Sequence, residues 1–428
     1  MLSTLSIDAV RTALRSRATT LLPTLHAEAT DCYRLFHGAV EGGPGCTLDR
    51  YGELLLFQTF RDAPDIPAEE LLPLLRDMVE EETGLSLKVH WNARQRRQQS
   101  REGLLLPKQD TVLSPSHSGS ELGVKYLIDV PQPGRDPNLY LDFRVARRWL
   151  RNNVEGKDVL NAFAYTCGAG VASLAGGAAS VVNLDFSESA LSIGRRNAEL
   201  NGFLDEDAFE CLCGDAMPAL RMLAGLPVTA DRRRGNGRGG RGARGGRWAG
   251  RGQGQRGRGA GRGSKPLKLR RRQFDVVVLD PPTVRSRDLC TKINPQRTPF
   301  RSSAHVCLPQ LNAARPHLRN TSFVSAAIHT FCCEQWTKTK FGAVDLVRDY
   351  ESLFKPSVLA TRPGGTVLAA NHVASVDVDE WLEKLDRCAN KADQPLSELS
   401  LLTPEADFPS PDGKHPLKIA IAKVAEIA

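Results

Sequence analysis

Asp158 to Asp185 reads DVLNAFAYTCGAGVASLAGGAASVVNLD. Its first apolar run, Val159 to Phe163, has the length of a buried strand. A turn of small residues follows (Thr166, Cys167, Gly168, Ala169, Gly170), and Val171, Ala172, Leu174 and Ala175 then recur at helical spacing. Gly176-Gly177 supplies a helix stop. A second apolar run, Val181 to Leu184, ends on an acid, Asp185. Strand, tight turn, helix, strand and acid in this order predict a βαβ unit that binds a nucleoside or dinucleotide.

The residue types fit that chemistry. Glycines let backbone approach a ligand closely, and a helix N-terminus offers unpaired N–H groups. A carboxylate at the tip of the second strand can accept hydrogen bonds from ribose hydroxyls. The pyrophosphate fingerprint G-x-G-x-x-G is incomplete, because Gly168 and Gly170 are followed by Ser173. A nucleoside without a pyrophosphate, such as S-adenosylmethionine (AdoMet), therefore fits better. An ordinary βα turn with an N-cap acid would also read this way.

Upstream, Tyr33 to Phe60 (YRLFHGAVEGGPGCTLDRYGELLLFQTF) carries two turn signals, Gly42-Gly43-Pro44-Gly45 and Tyr51-Gly52, between apolar runs. Hairpin strands, a helix from about residue 67 to 82 and a strand from 85 to 90 predict a small α+β module over 31–125. The basic run Arg94, Arg96, Arg97 and Arg101 reads as a solvated face, or as a phosphate contact. Residues 1–30 contain only Asp8 and Glu28 as acids and faintly resemble an organelle transit peptide, which would place the protein in a chloroplast or mitochondrion, otherwise in the cytoplasm. The alternative is a helix of the fold with Val10, Leu14, Leu21, Leu22 and Leu25 on one face.

Downstream, Tyr140 to Arg151 predicts a helix, Ser187 caps another, and 208–213 reads as a strand before Asp215. Phe274 to Leu279 (FDVVVL) is an almost pure β run ending in Asp280-Pro281-Pro282. A helix, the Pro363-Gly364-Gly365 turn and further strands complete an α/β, mainly parallel sheet over 126–428.

Two segments break the rhythm. Residues 232–272 hold fourteen Arg and two Lys with no acid; removing those sixteen charges from the net +8 leaves −8 for the rest. Such an Arg-Gly tract cannot pack and binds RNA by charge and stacking, or is a tolerated loop. Residues 288–339 show no stable periodicity and carry four of the ten cysteines, so they read as an irregular insertion, with translated intron as one origin. No C-x-x-C pair points to zinc or a disulfide framework, and no apolar run approaches the ~18 residues of a membrane span.

Several motifs, in order and spacing, resemble the bacterial large-subunit (23S-type) rRNA methyltransferases of the cytosine-C5 and guanine-N7 types, class I AdoMet-dependent enzymes with a Rossmann-like seven-stranded sheet. The carriers are Tyr33-Arg34-Leu35, Leu48 to Gly52, Tyr140 to Arg144, Leu160 to Thr166, Arg196-Asn197 with Asn201-Gly202, Asp280 to Thr283, and Pro363 to Gly365. The resemblance implies that Asn161, Phe163, Tyr165, Thr166, Gly168 and Gly170 wrap the amino-acid half of AdoMet. It implies that Asp185 holds the ribose, Asp215 the adenine amino group, and that Arg144 lies near the cofactor mouth. Asp280, Pro281 and Pro282 would form the floor where base meets methyl, with Asn371 beside them; RNA is the implied partner, with no metal.

The departures direct the substrate reading. Attack at cytosine C5 needs a cysteine nucleophile. The cytosine-type relatives carry it after the strand following Pro-Gly-Gly, where this chain has Ala369-Ala370-Asn371-His372. A ring nitrogen such as guanine N7 has a lone pair and needs no covalent help, which favours nitrogen methylation. His372 could assist, although a partly buried structural histidine is the plainer reading. Arg135-Asp136-Pro137-Asn138 also stands where the relatives carry a Gln-Lys-Thr-Gly-like approach. The competing readings are cytosine-C5 methylation, an inactive RNA-binding scaffold, and a small-molecule or protein methyltransferase.

Overall fold

The computed structural model describes residues 5–60, 66–94, 117–131, 136–203, 205–228, 268–285, 334–339, 342–410 and 412–426. Most of the Arg-Gly tract, most of the 288–339 segment, and Arg96, Arg97 and Arg101 lie outside the described residues.

The N-terminal elements are α1 (Ile7–Thr20), α2 (Leu22–Ala27), β1 (Cys32–His37), α3 (Gly38–Glu41), β2 (Cys46–Tyr51), β3 (Leu54–Thr59), α4 (Ala68–Thr83) and β4 (Lys88–Ala93). Ser6 caps α1 by accepting from Ala9 N, and Val10, Leu14, Leu22 and Leu25 are buried. The turn between β2 and β3 needs Gly52, whose φ is +61° and whose added Cβ would sit 2.7 Å from the Ser118 carbonyl. β1, β2 and β3 pair antiparallel, while α4 crosses over to set β4 parallel to β3. Helix α4 buries Leu71, Leu75, Met78 and Val79 at i, i+4, i+7 and i+8 against this sheet and stops at Gly84, φ +72°. The strand expected from residue 85 starts three residues later, since Leu85 to Leu87 are the descent from that stop.

A short ribbon, β5 (Ser118–Glu121) with β6 (Val124–Leu127), leads to α5 (Arg144–Asn153). There follow β7 (Asp158–Ala162), α6 (Gly168–Ala175), β8 (Ser180–Asp185), α7 (Glu188–Leu200), β9 (Phe209–Cys213), α8 (Ala216–Leu223) and β10 (Phe274–Leu279). The chain closes with β11 (Val284–Arg285), β12 (Glu334–Thr339), β13 (Gly342–Asp345), α9 (Glu351–Leu359), β14 (Thr361–Asn371), α10 (Val378–Asn390), β15 (Leu396–Leu401) and β16 (Lys418–Val424).

The seven-stranded sheet runs β15-β16-β14-β10-β7-β8-β9. Strands β14, β10, β7, β8 and β9 are parallel; β16 is antiparallel to β14 and β15 to β16. Apolar clusters cover both of its faces, which is why β10 reads as an uninterrupted apolar run. The strand order reverses at β7, so the carboxyl ends of β7, β8 and β10 border the crevice where such sheets bind ligands. Residues 334–339, expected to be irregular, are instead a strand paired between β11 and β13.

Candidate nucleoside and acceptor site

Strand β7 ends at Ala162, one residue earlier than its apolar run, because Phe163 turns left-handed at φ 61°. Tyr165 (φ 50°) and Cys167 (φ 60°) repeat this at alternate positions. Non-glycine residues in that region cost on the order of 1 kcal/mol each and persist only where neighbours enforce them. Tyr165 N donates to Asp185 Oδ2 at 2.9 Å, Ala164 N to the Leu184 carbonyl at 3.0 Å, and Thr166 Oγ1 to the Asn138 carbonyl at 2.7 Å. Asn197 Nδ2 donates to the Thr166 carbonyl at 3.1 Å. This bracing fixes the loop from which α6 springs.

Asp185 is therefore both a loop clamp and a candidate ligand contact. Its Oδ1 accepts from Ser187 N at 2.8 Å while Oδ2 takes Tyr165 N, and the Phe186 backbone N–H also acts on the carboxylate. Burial pushes its pKa up against the opposing backbone N–H groups. Its carbonyl accepts from Gly214 N at 2.8 Å, joining the tips of β8 and β9, and Asp215 then caps α8 through Met217 N. Phe186, next to Asp185, leaves 58% of its surface exposed at this same edge. Two acids and an outward aromatic ring at adjoining strand tips fit a nucleoside: hydroxyls and an amino group for the acids, a π-face for the ring. The signal for Phe186 was present in the sequence, as an aromatic directly after the strand-end acid, and was missed.

Two of the expected ligand contacts also have packing roles. Asn161 Nδ2 donates to Asn183 Oδ1 at 2.9 Å in the buried sheet, which commits one of its N–H groups. Gly170 sits over the same pair, and an added Cβ would lie 2.2 Å from Asn183 Oδ1. Its glycine is required for helix–sheet approach, whereas at Gly168 the nearest contact to an added Cβ is an ordinary 3.6 Å. Gly170→Ala is expected to lower stability by about 1–3 kcal/mol, read as a drop in the urea midpoint, and Gly168→Ala by much less.

Arg144, expected near the cofactor mouth, has no solvent exposure. Its Nη1 donates to the Cys32 carbonyl at 2.9 Å, its Nη2 pairs with Asp407, and Glu405 lies 3.4 Å from Nε. Asp407 Oδ2 also accepts from Arg34 N at 2.9 Å, so this ion pair joins the start of α5 to β1 and to the C-terminal segment.

At the tip of β10, Pro281 is buried, Pro282 exposed, and Asp280 Oδ1 meets His372 Nε2 at 2.6 Å. The two side chains keep 24% and 27% of their surface. Asn371, expected beside the reacting base, is fully buried: Nδ2 donates to the Leu346 carbonyl at 3.3 Å and Oδ1 accepts from Val373 N at 2.9 Å. It holds the backbone on either side of His372. Burial acts to lower the His372 pKa, but the Asp280 carboxylate more than offsets it and the net shift is upward.

His372 and Thr283 line a cleft of about 410 Å³ shared with Arg34, Phe60, Arg94 and Tyr140. Asp136 stands between this cleft and the braced loop, accepting from Tyr165 Oη at 2.6 Å and Tyr140 Oη at 2.9 Å. The departure noted at Asp136 thus has a local partner set of its own. Among the described residues, no group of three or more His, Cys, Asp or Glu could hold a metal ion, and no helix is long and apolar enough to cross a membrane.

Comparison with known proteins bears on this arrangement. Residues 34–209 match the S-adenosylmethionine-dependent methyltransferase family. Ribosomal RNA large subunit methyltransferase I from Escherichia coli O139:H28 is 34% identical over 195 residues, 43% of this chain and 48% of that protein. The Aeromonas hydrophila protein of the same name is 35% identical over 190 residues, 42% of this chain and 46% of its own length. The matched stretch thus spans about half the length of these relatives. Among solved structures, a protein assigned as a methyltransferase and complexed with SAH aligns with a TM-score of 0.60 at 16% identity, covering 98% of this chain and 82% of that one. A SAM-dependent methyltransferase assignment from Streptococcus mutans aligns at 0.59 and 16%, with the same coverage. Residues 34–209 are thus similar in sequence to the S-adenosylmethionine-dependent methyltransferases, and the chain shares the fold of solved methyltransferase structures.

Proposed function

We propose that the protein is an AdoMet-dependent methyltransferase of large-subunit rRNA, acting at a purine ring nitrogen, guanine N7 in particular. The observation that carries the reading is the adjacency of two sites. Asp185, Phe186 and Asp215 gather at the tips of β8 and β9, and the Asp280–His372 cleft opens at the tips of β10 and β14 on the other side of β7, along the same edge of the sheet. Bound at the first, AdoMet would supply a methyl group already activated on sulfur. Asp185 would grip the ribose, Phe186 would cover the adenine, and Asp215 would take its amino group. The cleft would hold an unstacked base, with Thr283 of the Asp280-Pro281-Pro282-Thr283 segment on its wall. Holding acceptor and methyl carbon in line supplies much of the acceleration, and the rigid strand tips suit that task.

Two further observations support the substrate. The sequence relatives are named for large-subunit rRNA, and Arg34 and Arg94 line the cleft where a phosphate backbone would pass. No cysteine is among the described residues lining it, which supports nitrogen over cytosine C5. The Arg-Gly tract would add salt-sensitive, sequence-blind affinity. Mass spectrometry of rRNA nucleosides, by compartment, from cells with and without the gene tests the proposal. One methylated purine is expected to disappear from large-subunit rRNA on deletion; an unchanged nucleoside profile would refute it.

A further inference from the structure

His372 is held more firmly than a surface histidine needs. Asn371 pins the backbone on both sides of it, Tyr350 Oη donates to the Ala370 carbonyl at 2.8 Å, and Lys418 Nζ to the Val373 carbonyl at 2.8 Å. Strand β14 is paired with β16 as far as Asn371–Lys418. Asp280 engages Nε2, which leaves Nδ1 as the ring nitrogen for a ligand in the cleft. A carboxylate on Nε2 fixes the ring and holds a proton on that nitrogen; it also stabilises the imidazolium, the form in which Nδ1 carries a proton as well.

We infer that His372, oriented by Asp280, is a specificity-determining residue that donates from Nδ1 to O6 of a guanine whose N7 receives the methyl group. This rests on the function proposed above. Guanine presents N7 and O6 as neighbouring acceptors, whereas adenine places an amino donor beside its N7, which an Nδ1–H would oppose. In the transfer, the N7 lone pair forms the new N–C bond, the C–S bond breaks, and sulfur keeps the electron pair. No proton leaves the base, so the imidazolium, protonated at both nitrogens, acts as donor throughout. The groups acting on its charge are Asp280, Asp142 and Lys418, with His415, His37 and Arg34 in the same cleft. The upward shift at His372 keeps the donor form present toward neutral pH.

The test uses the full chain, labelled AdoMet, and large-subunit rRNA from cells lacking the gene, with products digested to nucleosides. Wild-type protein should label 7-methylguanosine, with kcat/KM falling as pH rises through the raised His372 pKa. His372→Ala should lose about 10- to 100-fold in kcat/KM with AdoMet affinity unchanged. His372→Gln, which keeps an N–H donor, should recover part of this and flatten the pH limb, and Asp280→Asn should move the limb to lower pH. An active wild type whose His372→Ala variant is unimpaired overturns the inference alone. So does a rate that rises with pH through this limb, the mark of a proton acceptor; label in another nucleoside overturns the inference together with the guanine N7 reading. A wild type that labels no rRNA overturns the proposed function and this inference with it.

Discussion

Asp185→Ala is expected to weaken AdoMet binding by at least about 100-fold in isothermal titration. Hydrogen bonds to a charged partner contribute ~1.5–3 kcal/mol each, and two ribose hydroxyls would lose theirs. The same carboxylate braces Tyr165 N and Ser187 N, so the left-handed residues of the loop lose an enforcing contact as well. Asp185→Asn, which keeps one acceptor oxygen, should fall between the wild type and the alanine variant. Cofactor affinity undiminished in a folded Asp185→Ala protein would remove the nucleoside site from the strand tip. Phe186 and Asp215 would then need another explanation.

Asp407→Ala should destabilise the fold by about 3–5 kcal/mol, because it removes the closer of the two carboxylates paired with the buried Arg144 guanidinium and leaves Glu405 at 3.4 Å. The backbone N–H of Arg34 loses its acceptor in the same change. Replacing both charges with apolar residues of similar volume, Arg144→Met with Asp407→Leu, should restore much of the loss, since buried pairs offset their own desolvation poorly. Urea midpoints of the two variants check the comparison. A double variant as unstable as the single one would mean that the pair contributes more than mutual neutralisation. AdoMet affinity at low denaturant should match wild type in the double variant; a large loss there would return Arg144 to the cofactor site.

Arg144 and Asn371 show where the sequence reading stopped. Each lies within or beside a stretch whose order resembled a methyltransferase motif, and each was assigned by that position. Arg144 pairs with a residue 263 positions away, and Asn371 donates to a carbonyl 25 positions away. Periodicity and turn signals report local burial, and neither contact is local. Asp280 and His372, 92 positions apart, were each singled out as candidates, yet only the pairing of β10 with β14 makes them one unit. Asn161 has a partner the sequence does not reveal for a related reason: Asn183 is its register neighbour on β8, and register is a property of the sheet.

The sequence alone determined the βαβ unit, the acid at its second strand tip, the hairpins of the first module and the parallel character of the larger sheet. Each follows from a pattern only a few residues long, which a chain carries wherever it folds. Only the tertiary structure decided which polar groups face a ligand and which face each other. That choice depends on what the returning chain places opposite a side chain, and a buried polar group must take the partner it finds there.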